Sequence, residues 1–184
     1  MCTSEGPVIQ KKICMLGDPS VGKTSLIRRY IEQEFDEKYI STVGASVNTK
    51  DISVNLPELG QTLELKYLVW DIAGQKVFSD VDASYFKGAD GALVVCDLTT
   101  KTTLENIPNW LSKFKSIAGE VPFLILVNKS DLSELWSFQP DGAEQLAQRY
   151  QSHTLVTSAK TGENVEKAFQ VLGGLLARDH VDYD

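Results

Sequence analysis

Apolar positions in this chain gather into short runs separated by longer mixed stretches. Residues 91–97, 122–128 and 154–157 are nearly continuous apolar runs, and 8–16 is apolar-rich up to Gly17. Such runs suit strands buried on both faces of a parallel sheet. Residues 45–56 and 62–71 read as two strands of a hairpin turning at Pro57-Glu58-Leu59-Gly60. Helices are predicted at 22–32, near 77–87, from about Asn106 onward, at 141–150 and at 163–176. Asn106 is the expected N-cap of the third, and Pro108 is tolerated because it sits in the first turn. The alternation predicts an α/β doubly wound sheet, six-stranded and mostly parallel with one antiparallel edge strand, carrying about five helices. Ligand loops then belong at the carboxyl ends of the strands.

The 184 residues suffice for one core, and no repeat or linker divides them. The expected organisation is a flexible segment 1–7, one domain over 8–178 and a short acidic tail 179–184. The net charge of −7 makes nucleic acid and bare anionic membrane poor partners, so any phosphate site here must be a local device working against the overall field. Cys2, Cys14 and Cys96 are too few and too irregular for a disulfide framework, which points to a reducing intracellular compartment. Cys14 and Cys96 lie in apolar runs and read as core thiols. No stretch has the length and apolarity of a membrane span, no signal peptide is evident, and Cys2 stands where myristoylation needs glycine.

Gly17-Asp18-Pro19-Ser20-Val21-Gly22-Lys23-Thr24 fits G-x-x-x-x-G-K-[ST] and lies between a predicted strand and a predicted helix, the context this phosphate loop requires. Its glycines let successive N–H groups point at phosphate oxygens, and the helix start adds its positive end. The expected phosphate contacts are Pro19, Ser20, Val21, Gly22, Lys23, Thr24 and Ser25. Lys23 supplies a cation to β- and γ-phosphates and Thr24 a hydroxyl to Mg²⁺. An ATPase, a small-molecule kinase and a GTPase all satisfy this motif.

Three further loops bear on the base and the reaction. In Asn128-Lys129-Ser130-Asp131 the Asp131 carboxylate can accept from guanine N1–H and its 2-amino group, a donor pair that adenine lacks. The Lys129 stem can lie along the base. In Thr157-Ser158-Ala159-Lys160, the Ala159 N–H can reach guanine O6. In Trp70-Asp71-Ile72-Ala73-Gly74-Gln75, Asp71 can hold Mg²⁺ through water, the Gly74 N–H can approach a γ-phosphate and Gln75 can orient the attacking water.

In this order and spacing the loops resemble the Ras superfamily of small GTPases over nearly the whole chain. Tyr85-Phe86-Lys87-Gly88-Ala89-Asp90-Gly91, Asp97-Leu98-Thr99 and Asn109-Trp110-Leu111 look most like its Rab-type branch. The resemblance implies a P-loop NTPase-type fold binding GTP or GDP with Mg²⁺. Phe35 would pack on the guanine, Tyr39 would close over the phosphates and Thr42 would ligate Mg²⁺ beside Thr24 and Asp71. Asn128, Lys129, Asp131, Ser158, Ala159 and Lys160 would form the base site. Lys23 and Gln75 would carry catalysis: in-line attack of water on the γ-phosphoryl group, slow without an arginine finger. Loss of the γ-phosphate would release Thr42 and Gly74, and effector, activating and exchange proteins would read the two loop arrangements. Trp70 and Tyr85 would belong to a partner-facing patch, although Trp70 reads equally well as core.

Some residues depart from that family pattern. Pro19 lacks an N–H beside the γ-phosphate position, which puts the response to an activating protein in question. Lys76 follows the glutamine where an acid is usual, and Val47 replaces an aromatic of the partner patch. No cysteine follows Cys96, so a prenylation site is absent. Either the sequence is part of a longer protein, or the protein is not lipid-anchored. The expectation is a monomeric, cytoplasmic protein, peripheral to membranes through partners. Two alternatives to a hydrolysing switch stand beside it. One is a scaffold that holds GTP stably, favoured by Pro19 and disfavoured by Gln75. The other is a P-loop ATPase or kinase, disfavoured by Asp131.

Overall fold

The computed structural model describes residues 9–33, 44–72 and 84–181. In chain order they form β1 (Ile9–Leu16), α1 (Lys23–Glu32), β2 (Ala45–Leu56), β3 (Gln61–Ile72), β4 (Gly91–Asp97), α2 (Lys101–Glu105), α3 (Ile107–Ala118), β5 (Phe123–Asn128), α4 (Asp141–Arg149), β6 (His153–Val156) and α5 (Val165–Val181). The sheet runs β2-β3-β1-β4-β5-β6. Only β2, at the edge, is antiparallel, pairing along β3 from Ala45↔Ile72 to Leu56↔Gln61. Every other pairing is parallel. The expected doubly wound architecture is present.

Burial explains why the apolar runs were strands. Every residue of β4 and of β5 is buried, whereas the edge strand β2 buries only Ile52, Val54 and Leu56, in alternation. The run at 154–157 does not meet the expectation of a strand buried on both faces: β6 lies at the opposite edge and its residues are half-buried or exposed. Alternate residues of β1 feed opposite cores. Ile13 and Met15 join the layer beneath α1 and α5 with Leu26, Phe169 and Leu172. Cys14 and Leu16 join the layer beneath α3 and α4 with Trp110, Leu111 and Phe114. Burial pushes the Cys14 and Cys96 thiols up to about 12, consistent with inert core cysteines.

Three further expectations need correction. The segment near 77–87 falls largely outside the described residues, and its end is a 3-10 turn at Ser84–Phe86 rather than α-helix. The last helix runs past Leu176 to Val181. Asn106 joins two helical segments, α2 and α3, with helical φ/ψ of −83° and −12°, and its side chain makes no capping bond. Its amide instead donates to Asp18 Oδ2 at 2.7 Å. Pro108 does occupy the first turn of α3.

One contact between α5 and the sheet yields a stability prediction. The Tyr67 hydroxyl is buried and donates to the Phe169 carbonyl at 2.9 Å. It reaches there because Gly173 has no side chain: a Cβ would lie 2.6 Å from that hydroxyl and 3.0 Å from Ile52 Cδ1 and Val54 Cγ2. Gly173→Ala is therefore expected to destabilise the fold by about 1–3 kcal/mol despite alanine's better helix propensity. Denaturant unfolding beside Tyr67→Phe/Gly173→Ala checks it. The double variant, relieved of the hydroxyl clash, should recover part of the loss.

Candidate functional site: a nucleotide cradle at the carboxyl edge of the sheet

Burying a polar group is costly unless it is partnered, so the place where a protein concentrates such groups is informative. Among the described residues the buried polar side chains are Lys23, Asp71, Asp97, Thr103, Asn128, Thr157 and Ser158. Lys23 follows β1; Asp71, Asp97 and Asn128 lie at the carboxyl ends of β3, β4 and β5; Thr157 and Ser158 follow β6. Thr103 accepts from the Asp97 N–H at 2.9 Å. All of them therefore belong to one edge of the sheet, the edge where α/β sheets bind ligands.

The loop between β1 and α1 is held tightly against the neighbouring strand ends. Gly17 and Gly22 have φ of +131° and +103°, and a Cβ on either would meet Val95 O at 2.2 Å or Asn128 Nδ2 at 2.3 Å. Glycine is required at both. Asn128 Nδ2 donates to Val21 O at 2.9 Å, joining the loop to the end of β5. Pro19 and Ser20 are exposed at the loop's tip, and Ser20 takes a left-handed φ of +65°. No side chain caps α1 and its first turn holds no acid, an arrangement that suits an anion at its N-terminal amides.

Lys23 is 6% exposed, and its ammonium donates to Gly17 O at 2.7 Å and to Asp18 O at 2.8 Å. Burial lowers its pKa from 10.5 to about 8, a shift partly offset by the charges of Asp71 and Asp18. A buried cation held by loop carbonyls at the start of α1 fits a polyphosphate. Thr24 Oγ1 donates to Asp71 Oδ2 at 2.5 Å, so two of the three expected metal ligands already touch. A hydroxyl and one carboxylate are hard oxygen donors of the kind Mg²⁺ takes alongside phosphates and water.

On the base side, Ser158 Oγ donates to Asp131 Oδ1 at 2.6 Å, which fixes that carboxylate at the surface. Thr157 Oγ1 and the Ala159 N–H both donate to Asn128 Oδ1, at 3.2 and 3.3 Å. Lys129 has φ +67°, and its ammonium lies 2.6 Å from Asp97 Oδ2. The other Asp97 oxygen accepts from the N–H and hydroxyl of Thr99. Lys160 is exposed. The structure thus brings together Ser20 to Ser25, Asp71, Asn128, Lys129, Asp131, Ser158 and Ala159. Phe35, Tyr39, Thr42, Gly74 and Gln75 lie outside the described residues.

Sequence reasoning missed three supports of this site. Asp97 anchors Lys129. Asp18 has both carboxylate oxygens taken at the start of α3, by Asn106 Nδ2 just before the helix and by Trp110 Nε1 within it at 2.8 Å. Arg29 reaches across to the loop after β6. For the first, an acid at the end of a fully apolar strand was a usable signal; the other two contacts carry none. Trp70 is half-buried. The Lys12 ammonium sits 4.1 Å from its ring centroid and Tyr85 packs against it at 6.0 Å.

A glycine-built loop with a buried lysine, a hydroxyl–carboxylate pair and an aspartate-bearing loop at one edge of a doubly wound sheet are the features expected of a small GTPase. The profile of the Ras family matches residues 12–177. The chain is 37% identical over 162 residues to the Ras-related protein Rab-13 of Rattus norvegicus, an alignment covering 88% of this chain and 77% of that protein. It is 38% identical over the same length and shares to Rab-1A of Dictyostelium discoideum. It is 35% identical over 173 residues to Rab-27B of Bos taurus, covering 91% and 79%. The chain belongs to the Ras family of small GTPases and is Rab-like within it.

Proposed function

We propose that this protein is a Rab-like switch that binds GTP and GDP with one Mg²⁺ and hydrolyses GTP slowly. The observation that carries the reading is the convergence of the buried polar residues on one sheet edge, with Lys23 inside the phosphate loop and Asp131 held ready by Ser158. In this reading Lys23 and the loop amides bind the phosphates, and Asn128, Lys129, Asp131, Ser158 and Ala159 bind the base. Thr24, Asp71 and Thr42 hold the metal, which when bound neutralises charge developing on the phosphates. Phe35 and Tyr39 flank the nucleotide, the Gly74 amide senses the γ-phosphate and Gln75 aligns the attacking water. The nucleotide-binding domain covers 8–178, and α5 carries it on to Val181.

Effector, activating and exchange proteins would read the loops on either side of β2 and β3. The half-buried Trp70, with Tyr85 beside it and Val47 paired opposite on β2, supports a partner surface there. The Rab likeness favours a monomeric cytoplasmic protein that reaches membranes through partners. Among the described residues, no helix is long and apolar enough to cross a membrane.

Single-turnover phosphate release with Mg²⁺ tests the reading, run with GTP, ATP and Gln75→Leu. Slow release from GTP alone is expected, with roughly a ten- to hundredfold loss in the variant. Tight GTP binding with no release would replace the switch by a GTP-holding scaffold and direct attention to Pro19. Equal use of ATP would remove Asp131 from the base site.

A further inference from the structure

We propose that Arg29 is a positioning residue for base recognition: its guanidinium, carried on the phosphate-binding helix, holds the 158–160 loop in the place where that loop can serve the base. The inference rests on the base-site reading above.

Arg29 lies in the last turn of α1 and is half-buried. All of its donor-bearing nitrogens go to backbone carbonyls. Nε donates to Ala159 O at 2.8 Å, one terminal nitrogen donates to Lys160 O, and the other donates to Gln33 O at 3.2 Å. One planar group therefore ties the end of α1, where Gln33 turns left-handed at φ +58°, to a loop 130 residues further along the chain. A fork of fixed donors can do this; a lysine ammonium is a single point and cannot span three separated acceptors.

The loop has no strand or helix ladder of its own at these positions. Its internal bonds use other groups: the Gly162 N–H goes to Ser158 O at 2.8 Å, the Ser158 N–H to Glu163 O at 3.2 Å, and Asn164 Nδ2 to Val156 O at 2.7 Å. The Ala159 and Lys160 carbonyls are the ones Arg29 takes. Both ends of the clamp matter for the base. Ser158, one residue before, holds the Asp131 carboxylate, and the Ala159 N–H, which donates to Asn128 Oδ1 at a long 3.3 Å, is the expected donor to guanine O6. Gly162 turns the loop beside Arg29 with a φ of +87°, a backbone conformation that favours glycine. Without the guanidinium, its bonds to the Ala159 and Lys160 carbonyls are lost, and the loop bearing Ser158 and Ala159 is no longer pinned to α1. The phosphate loop keeps its own ties to Asn128 and to α3.

A positioning role predicts a selective loss. Nucleotide-stripped wild type, Arg29→Gln and Arg29→Lys are titrated with GDP, ADP and pyrophosphate in Mg²⁺ buffer, and thermal unfolding is recorded for each. In wild type, GDP must be preferred over ADP; no preference would overturn the base-site reading itself, whatever Arg29 does. Given that preference, Arg29→Gln should weaken GDP about tenfold and speed its release, while pyrophosphate affinity stays unchanged. Arg29→Lys, which keeps charge and stem, should show the same selective loss at smaller size, and decides the matter if the glutamine variant does not fold. GDP and pyrophosphate weakening in equal proportion would show a general structural brace and overturn the inference, as would GDP affinity and release within twofold of wild type in both variants.

Discussion

Asp131→Asn is expected to lower GDP affinity by on the order of a thousandfold and to shift the preference toward xanthosine diphosphate. An ionised carboxylate only accepts hydrogen bonds, and guanine presents two parallel donors, N1–H and the 2-amino group. Asparagine keeps one acceptor and places an N–H group against the other donor, so one favourable charge-assisted bond becomes a clash of donors. Xanthine carries an oxygen in place of the 2-amino group and matches the amide. The effect is large because the carboxylate is already fixed: Ser158 Oγ holds Asp131 Oδ1 at 2.6 Å, so no reorientation is needed on binding. Competitive titration of both diphosphates against wild type and variant measures it. GDP affinity within tenfold of wild type would mean the base is read elsewhere.

The fold was legible where a local pattern had a single physical cause. The apolar runs at β4 and β5 could only be buried strands, and they are buried throughout. The motif loops were legible because each is contiguous and follows a strand, so neighbours in sequence are neighbours at the ligand. What failed were contacts between distant segments. Asn106 has the side chain of an N-cap, but that amide serves the Asp18 carboxylate 88 residues away. Arg29, next to Arg28, reads as one more solvated base on a helix, and nothing in the sequence joins it to Ala159. The helix α2 spans only Lys101–Glu105, too short for an apolar period to appear. The partners that orient the motif residues were therefore hidden, although the motif residues were not.

Lys23→Met is expected to separate stability from binding. In the nucleotide-free fold the Lys23 pKa is about 8 against an ordinary 10.5, so the unfolded chain binds this proton more tightly than the folded one. The resulting destabilisation, about 3 kcal/mol, is complete below pH 8 and relieved as pH rises toward 10.5. Nucleotide-free stability should therefore gain from this group between those values. Phosphate oxygens reverse the situation by stabilising the ammonium. Through this group affinity is then independent of pH below pH 8 and falls by up to tenfold per pH unit above it, as binding comes to require proton uptake. Methionine keeps the stem without the charge: the nucleotide-free variant should be at least as stable as wild type at pH 7 and lack the alkaline gain, while GDP affinity drops by on the order of a thousandfold. Guanine N1–H also ionises in alkali, so the part of the binding slope due to Lys23 is the part the variant lacks. Denaturant unfolding and GDP titration across pH 7 to about 10 measure both effects. A nucleotide-free variant markedly less stable than wild type at pH 7 would show that the ammonium's bonds to Gly17 O and Asp18 O outweigh its burial, and that the loop is held by its lysine rather than strained by it.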